Sequence, residues 1–159
     1  MAEYWRIKPS VHVMNDTRGP ALKHMGVEFL GFHGRAQESL QARMAVDERT
    51  TQRFGVLHGG ASVFLAESLG SYAAQLTIDT DSQRAVGLDI NANHVGPARS
   101  GFVVGTATPQ HIGGRTQVWS IQIEDGKGRL VCVCRLTMMI VTLSAAEQRP
   151  ASVSREFLL

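Results

Sequence analysis

Residues 59–77 read as one helix with almost no polar side to turn toward solvent. The run GGASVFLAESLGSYAAQLT carries a single formal charge, Glu67, among Ala, Val, Phe and Leu side chains. A helix that is apolar on nearly every side must be enclosed by other elements, so the rest of the chain has to supply a wrapping layer. The flanking sequence offers one. Residues 37–46 alternate Leu40, Ala42, Met44 and Val46 with polar neighbours, the period of a half-buried strand. After a turn at 79–83, four strand-like segments follow at 85–95, 102–109, 117–124 and 130–143, broken by GPARSG at 96–101, GG at 113–114 and DGKG at 125–128. The last of these breaks is a hairpin signal. Strand, helix, then four antiparallel strands describe an α+β fold in which a curved antiparallel sheet wraps a long central helix.

Upstream, residues 1–26 are punctuated by Pro and Gly and read as a partly ordered arm. Residues 22–29 read as a short helix leading into a strand, 27–143 as the folded domain, and 144–159 as a polar tail. With 159 residues, 43% of them apolar, one domain can bury roughly 68–70% of its unfolded surface. A formal charge of +2, without Lys/Arg runs interleaved with aromatics, argues against nucleic-acid binding. No apolar stretch is long enough to span a bilayer, and MAEYWRIKPS lacks the apolar core of a signal peptide. Cys132 and Cys134 lie two apart in a strand, a poor geometry for a mutual disulfide and too few for a metal quartet. A reduced, cytoplasmic protein without metal or cofactor is the expectation.

The helix itself carries the chemistry. Glu67, Ser71 and Gln75 are spaced by four and fall on one narrow stripe. A carboxylate desolvated among apolar neighbours has a raised pKa, suited to a general base or nucleophile near neutral pH. Gly59 and Gly60 open the helix, where unpaired backbone N–H groups and the positive end of the dipole can polarise a carbonyl. Gly59 and Glu67 are eight residues apart, about 12 Å along a helix axis, so one carbonyl cannot touch both from one helix. If both act, two antiparallel helices related by a two-fold axis must bring Gly59 of one chain opposite Glu67 of the other. That requires at least a dimer.

The run Gln52…His58-Gly59-Gly60-Ala61-Ser62…Ala66-Glu67-Ser68…Gly70-Ser71, followed by VGLDINANHV at 86–95, resembles the hotdog-fold acyl-CoA thioesterases. It is most similar to the branch acting on aryl-CoA esters, including 4-hydroxybenzoyl-CoA and 1,4-dihydroxy-2-naphthoyl-CoA thioesterases and the enterobactin proofreading enzyme. The likeness spans about residues 27–142 and implies a hotdog fold, a dimer or dimer of dimers with sites at the subunit interface, and metal-free hydrolysis of an acyl-CoA. By position it implies Glu67 as the catalytic carboxylate and Gly59 N–H as donor to the thioester oxygen. Gln52 and His58 would place the thioester, and Ser71 would hold the water or the carboxylate. It further implies that Gly87, His94, Val95, Gly96 and Pro97, with His111, Ile112, Gly113, Gly114, Arg115 and Thr116, line the substrate path. His94 would face the acyl group and Arg115 a phosphate. Phe64, Leu65 and Tyr72 are candidates for an acyl pocket. Gly96 and Pro97 stand where members often carry Arg and Ser, which implies a weaker nucleotide grip at that point.

Each residue also has a plainer reading. Glu67 could be a structural carboxylate satisfied by Gln75 or a strand amide, His58 a helix cap, the glycine pair a packing contact, His94 and His111 rim side chains, and Arg115 a solvated turn residue. HGGAS resembles an esterase oxyanion strand, but the chain has no G-x-S-x-G elbow. A hotdog hydratase or dehydratase and a non-catalytic acyl-CoA sensing module are the alternatives. The His-Gly-Gly and Ser71 pattern favours hydrolysis over the first, and retention of Glu67 favours it over the second.

Overall fold

In the computed structural model, which describes residues 2–147, the expected helix runs Gly59–Gln75 against a six-stranded sheet. Helices α1 (Val11–Thr17) and α2 (Pro20–His24) precede strands β1 (Val27–His33) and β2 (Ser39–Ala45). The long helix α3 follows, then β3 (Gln83–His94), β4 (Phe102–Ile112), β5 (Thr116–Asp125) and β6 (Leu130–Thr142). The strand order is β1-β2-β4-β5-β6-β3, with every pairing antiparallel. Helix α3 packs on β2 through β6. Shifts in register at Gly31, between Gly87 and Asp89, and between Pro109 and His111 bend the sheet. Strand β4 thus continues three residues past the expected end at 109, because the bulge accommodates Pro109.

Strict alternation builds the core. Trp119, Ile121 and Ile123 on β5 and Cys132, Cys134, Leu136 and Met138 on β6 all point inward and are buried. Gly70, in the middle of α3, lets helix and sheet approach closely: a Cβ there would lie 2.6 Å from Leu136 Cδ2. A buried polar relay ties the end of α3 to β5. Trp119 Nε1 donates to Gln117 Oε1 (3.0 Å), and Gln117 Nε2 donates to Thr77 Oγ1 (2.8 Å). The two cysteines are free, with sulfurs 3.6 Å apart. Burial pushes the Cys134 thiol up to about 12, which leaves it unreactive.

The amino-terminal residues differ from the expected arm. Trp5 and Met14 lie in the core cluster, Trp5 Nε1 donates to Gln37 O (2.7 Å), and the Arg6 and Ile7 amides both donate to Leu76 O. The Asn15 side chain mimics a strand amide, donating to Phe29 O (3.0 Å) and accepting from Phe29 N (2.9 Å). This covers part of the β1 edge, as exposed strand edges require. The opposite edge, β3, is engaged near its start, where Gln75 Oε1 accepts from Ala85 N at 2.8 Å, and beyond that it exposes Val86 and Leu88. The expected tail lies largely outside the described residues. Among the described residues, no helix is long and apolar enough to cross a membrane.

Candidate active site

The start of α3 is built by a tight loop. Gln52 N donates to Val56 O and Gly55 N to Gln52 O, both at 2.9 Å, a turn that Gly55 closes at φ +68. His58 is the N-cap: its Nδ1 accepts from Gly60 N at 2.9 Å, which puts the proton of the neutral ring on Nε2. His58 N donates to Thr50 O, and the Ala61 and Ser62 amides donate to His58 O. Of the donors that open the helix, the Gly59 N–H is the one left without a partner among the described residues. The His94 imidazole lies over Gly59, in space that only a glycine leaves, since a Cβ there would be 2.9 Å from His94 Nε2. Gln52, Gly59, His94, Val95, Gly96 and Pro97 share one cavity of about 440 Å³. The sequence singled out all six. The cap keeps His58 outside this lining.

Glu67 sits two turns further along, half-buried. Ser71 Oγ reaches its Oε1 at 3.4 Å and Met138 Sδ at 3.7 Å. Among the described residues no Lys, Arg or His pairs with the carboxylate. Desolvation raises its pKa above the ordinary carboxylate value, and the Ser71 hydrogen bond only partly opposes this. Gly87 makes room for it: a Cβ at 87 would stand 2.5 Å from Glu67 Oε1. The sequence pointed to both residues, but not to this contact between helix and edge strand. Gln75 does not share Glu67; its Oε1 accepts from Ala85 N at 2.8 Å and pins β3 to the helix end.

Other candidates are dispersed. Ile112, Gly113 and Gly114 line a separate cavity of about 260 Å³ with Thr77 and Gln83, beside the carboxyl end of α3. A helix of 17 residues spans roughly 25 Å, so one chain does not bring that loop to Gly59. His111 folds over Gly113, where a Cβ would meet its Nε2 at 2.5 Å. Arg115 and Thr116 are exposed, and the Arg115 carbonyl accepts from Ile140 N. Gly96 is sterically required, because a Cβ would lie 2.7 Å from the Leu130 carbonyl oxygen. Of the three acyl-pocket candidates, Leu65 and Tyr72 face the chain's own core, Tyr72 against Phe29 at 4.3 Å. Phe64 alone shares the half-buried stripe with Glu67. Among the described residues no three metal-capable side chains cluster.

Known proteins carry the same design. The family model of the thioesterase superfamily matches residues 54–132. The 1,4-dihydroxy-2-naphthoyl-CoA hydrolase of Escherichia coli K12 is 57% identical over 104 residues, covering 65% of this chain and 76% of that enzyme. The proofreading thioesterase EntH of Cronobacter turicensis is 40% identical over 138 residues, covering 86% of this chain and 98% of the relative. A crystal structure of a thioesterase from Haemophilus influenzae superposes with a TM-score of 0.83 at 41% identity, covering 91% of this chain and 99% of the other. With its sheet-wrapped helix and these relatives, the chain belongs to the thioesterase superfamily, as a thioester hydrolase of hotdog fold.

Proposed function

We propose that this enzyme hydrolyses an acyl-CoA thioester with an aryl or hydroxyaryl acyl group, in a site shared by two copies of the chain. Gly59 of one copy donates its free N–H to the thioester oxygen, and Glu67 of the other acts on the carbonyl carbon. As a base, Glu67 takes a proton from water while the hydroxyl adds; the tetrahedral intermediate then expels the CoA thiolate, which recovers the proton. As a nucleophile, Glu67 adds to the carbon itself and expels the thiolate, and water then hydrolyses the resulting anhydride. Either role needs the ionised carboxylate, and either places negative charge on the oxygen facing Gly59. Gln52 and His94 orient the thioester, the His58 cap holds the helix start, and Ser71 steadies Glu67 or its water. The loop of His111, Ile112, Gly113, Gly114, Arg115 and Thr116, remote from Gly59 within one chain, joins the substrate path across the same two-fold axis.

One observation carries this reading. Glu67 is half-buried without a cationic partner among the described residues, at a point where β3 gives up a side chain to admit it. A structural carboxylate would be paired. The exposed stretch of the β3 edge at Val86 and Leu88 supports sharing, since edge-to-edge pairing about a two-fold axis would bring a second helix against the Glu67 stripe. The aryl preference draws support from the Escherichia coli relative, whose name specifies a dihydroxynaphthoyl ester. A CoA substrate and buried free thiols fit a cytoplasmic enzyme.

The test is thiol release from benzoyl-, 4-hydroxybenzoyl-, 1,4-dihydroxy-2-naphthoyl-, hexanoyl- and palmitoyl-CoA. Wild type should turn over the aryl esters fastest, and Glu67→Ala should lose that activity while remaining folded. Co-refolding Glu67→Ala with Gly59→Pro probes the sharing. If the site is shared, half of the dimers are mixed and each has one intact site, so about a quarter of wild-type activity returns. A mixture no more active than its separate components would refute the shared site.

A further inference from the structure

Ser71 has one hydroxyl proton and two acceptors within reach. Its Oγ stands 3.4 Å from Glu67 Oε1 and 3.7 Å from Met138 Sδ. A hydroxyl given wholly to a carboxylate closes to roughly 2.5–2.7 Å, so the Glu67 contact is long for its kind. Met138 is fully buried, and its partner across the β3–β6 pairing is Gly87, the residue that makes room for Glu67. Carboxylate, hydroxyl and sulfur therefore meet where helix and edge strand approach most closely. A Leu at 138 would fill nearly the same volume; what it would lack is an acceptor.

Other charges do not reach this point. Helix α3 carries no second formal charge, and its Tyr72 phenol packs against Phe29. On β6, Arg135 is exposed between the buried Cys134 and Leu136 and so points to the opposite face of the sheet. Burial keeps the Cys132 and Cys134 thiols protonated. On β3, Asp89 is exposed, Arg84 donates to the Thr80 and Gln83 carbonyls, and His94 lies over Gly59. Two causes accordingly act on the Glu67 carboxyl, desolvation upward and the Ser71 hydrogen bond downward.

We propose that Met138 is a positioning residue for the hydrolysis: its thioether holds a share of the Ser71 proton and so leaves Glu67 a stronger base or nucleophile than Ser71 alone would allow. The inference rests on the role given to Glu67 above. A hydrogen bond to the charged form lowers a carboxyl pKa, and whatever part of that bond the sulfur takes, the carboxylate keeps as basicity. Replacing the thioether by an alkyl group releases the hydroxyl to Glu67 alone.

The experiment titrates Glu67 directly, by carbon-13 NMR of protein carrying glutamate labelled at the side-chain carboxyl, with Glu67→Gln assigning the signal. Wild type, Met138→Leu, Ser71→Ala and the double variant are compared. Met138→Ile is a second apolar variant of similar volume, and thermal melts accompany each. Ser71→Ala should raise the Glu67 pKa, and Met138→Leu should lower it by about half a pH unit, the scale of a weak neutral hydrogen bond. In the Ser71→Ala background Met138→Leu should change nothing, because no hydroxyl is left to share. The acid limb of kcat/KM for 4-hydroxybenzoyl-CoA should follow the same order. A purely structural Met138 would shift the pKa equally with and without Ser71. That result, or an unmoved pKa in both Met138→Leu and Met138→Ile, overturns the role of Met138, while hydrolysis that requires Glu67 leaves the reaction standing. A Ser71-dependent shift in a protein whose thiol release survives Glu67→Ala supports the sharing of the proton while the reaction assigned to Glu67 falls.

Discussion

Gly59→Pro removes one hydrogen-bond donor from the proposed site and almost nothing from the fold. Proline is at home at the first position of a helix, where its missing N–H would otherwise be an orphan. Among the described residues the Gly59 N–H has no partner to lose. The residue ahead of a proline must be extended, and His58 already sits at φ −68, ψ 133. A stiffer unfolded chain offsets small strains by roughly 0.4–1 kcal/mol, so the melting temperature should hold. Two steric changes accompany the substitution: the proline Cδ takes the place of the amide hydrogen, and a Cβ lies 2.9 Å from His94 Nε2, so the imidazole must retreat. Gly59→Ala introduces the same Cβ and keeps the N–H, so the difference between the two variants reports the lost donor together with the Cδ that replaces it. Loss of one oxyanion donor costs about 10²–10³ in kcat, or roughly 2.7–4 kcal/mol. The assay is steady-state thiol release from 4-hydroxybenzoyl-CoA, with thermal melts of all three proteins. A Pro variant that stays folded with kcat within about 3-fold of the Ala variant, under roughly 0.7 kcal/mol of barrier, would refute the polarising role of Gly59.

Gly87→Ala puts a methyl 2.5 Å from Glu67 Oε1, about 0.9 Å inside the 3.4 Å at which ordinary contact begins. A displacement near 1 Å costs about 10²-fold in rate, whereas the fold should keep its stability within roughly 1 kcal/mol, because the backbone at 87 is not in the left-handed region; kcat and thermal melts together check this. The pH behaviour of Glu67 follows from its raised pKa. Its ionisation costs folding free energy, a cost absent below the ordinary carboxylate pKa and fully present above the raised native value. Glu67→Gln should therefore match wild type in stability at low pH and exceed it at neutral pH, while the acid limb of the wild-type kcat/KM profile lies above the ordinary carboxylate range. Denaturant titrations of both proteins across pH, with the rate profile of wild type, measure the two effects.

The long helix and the four strands after it were legible because each follows a local period that burial enforces. Strand β1 was less so: Gly31, at φ +104 on a bulge, breaks the alternation after Val27 and Phe29. Helix α1 is only 7 residues long. Tertiary contacts hold it, with Met14 in the core and Asn15 on β1, rather than any strong local signal. At the site, the spacing of Gln52, Gly59, Glu67 and Ser71 lies within one loop and one helix and could be read directly. The contacts of Gly87 with Glu67 and of His94 with Gly59 join residues far apart in sequence, and only the β3 register places them.

The constraint imposed by the apolar helix is only partly met within one chain. Leu65, Ala66, Leu69, Ala73 and Ala74 are buried against the sheet, yet Phe64, Glu67, Ser68, Ser71 and Gln75 remain half-buried along one side. That side adjoins β3, whose edge exposes Val86 and Leu88 beyond the single contact of Gln75 with Ala85 N among the described residues, whereas the β1 edge is engaged by Asn15. Had selection acted only to bury the helix, larger apolar residues along this stripe and a cap on β3 would have served. Instead the stripe carries a carboxylate and two hydroxyls, and β3 answers with a glycine at the point of closest approach. A second copy laid along β3 would exclude water from the same stripe and set its own Gly59 toward Glu67, so the incomplete burial of the helix and the incompleteness of the catalytic set would have one remedy.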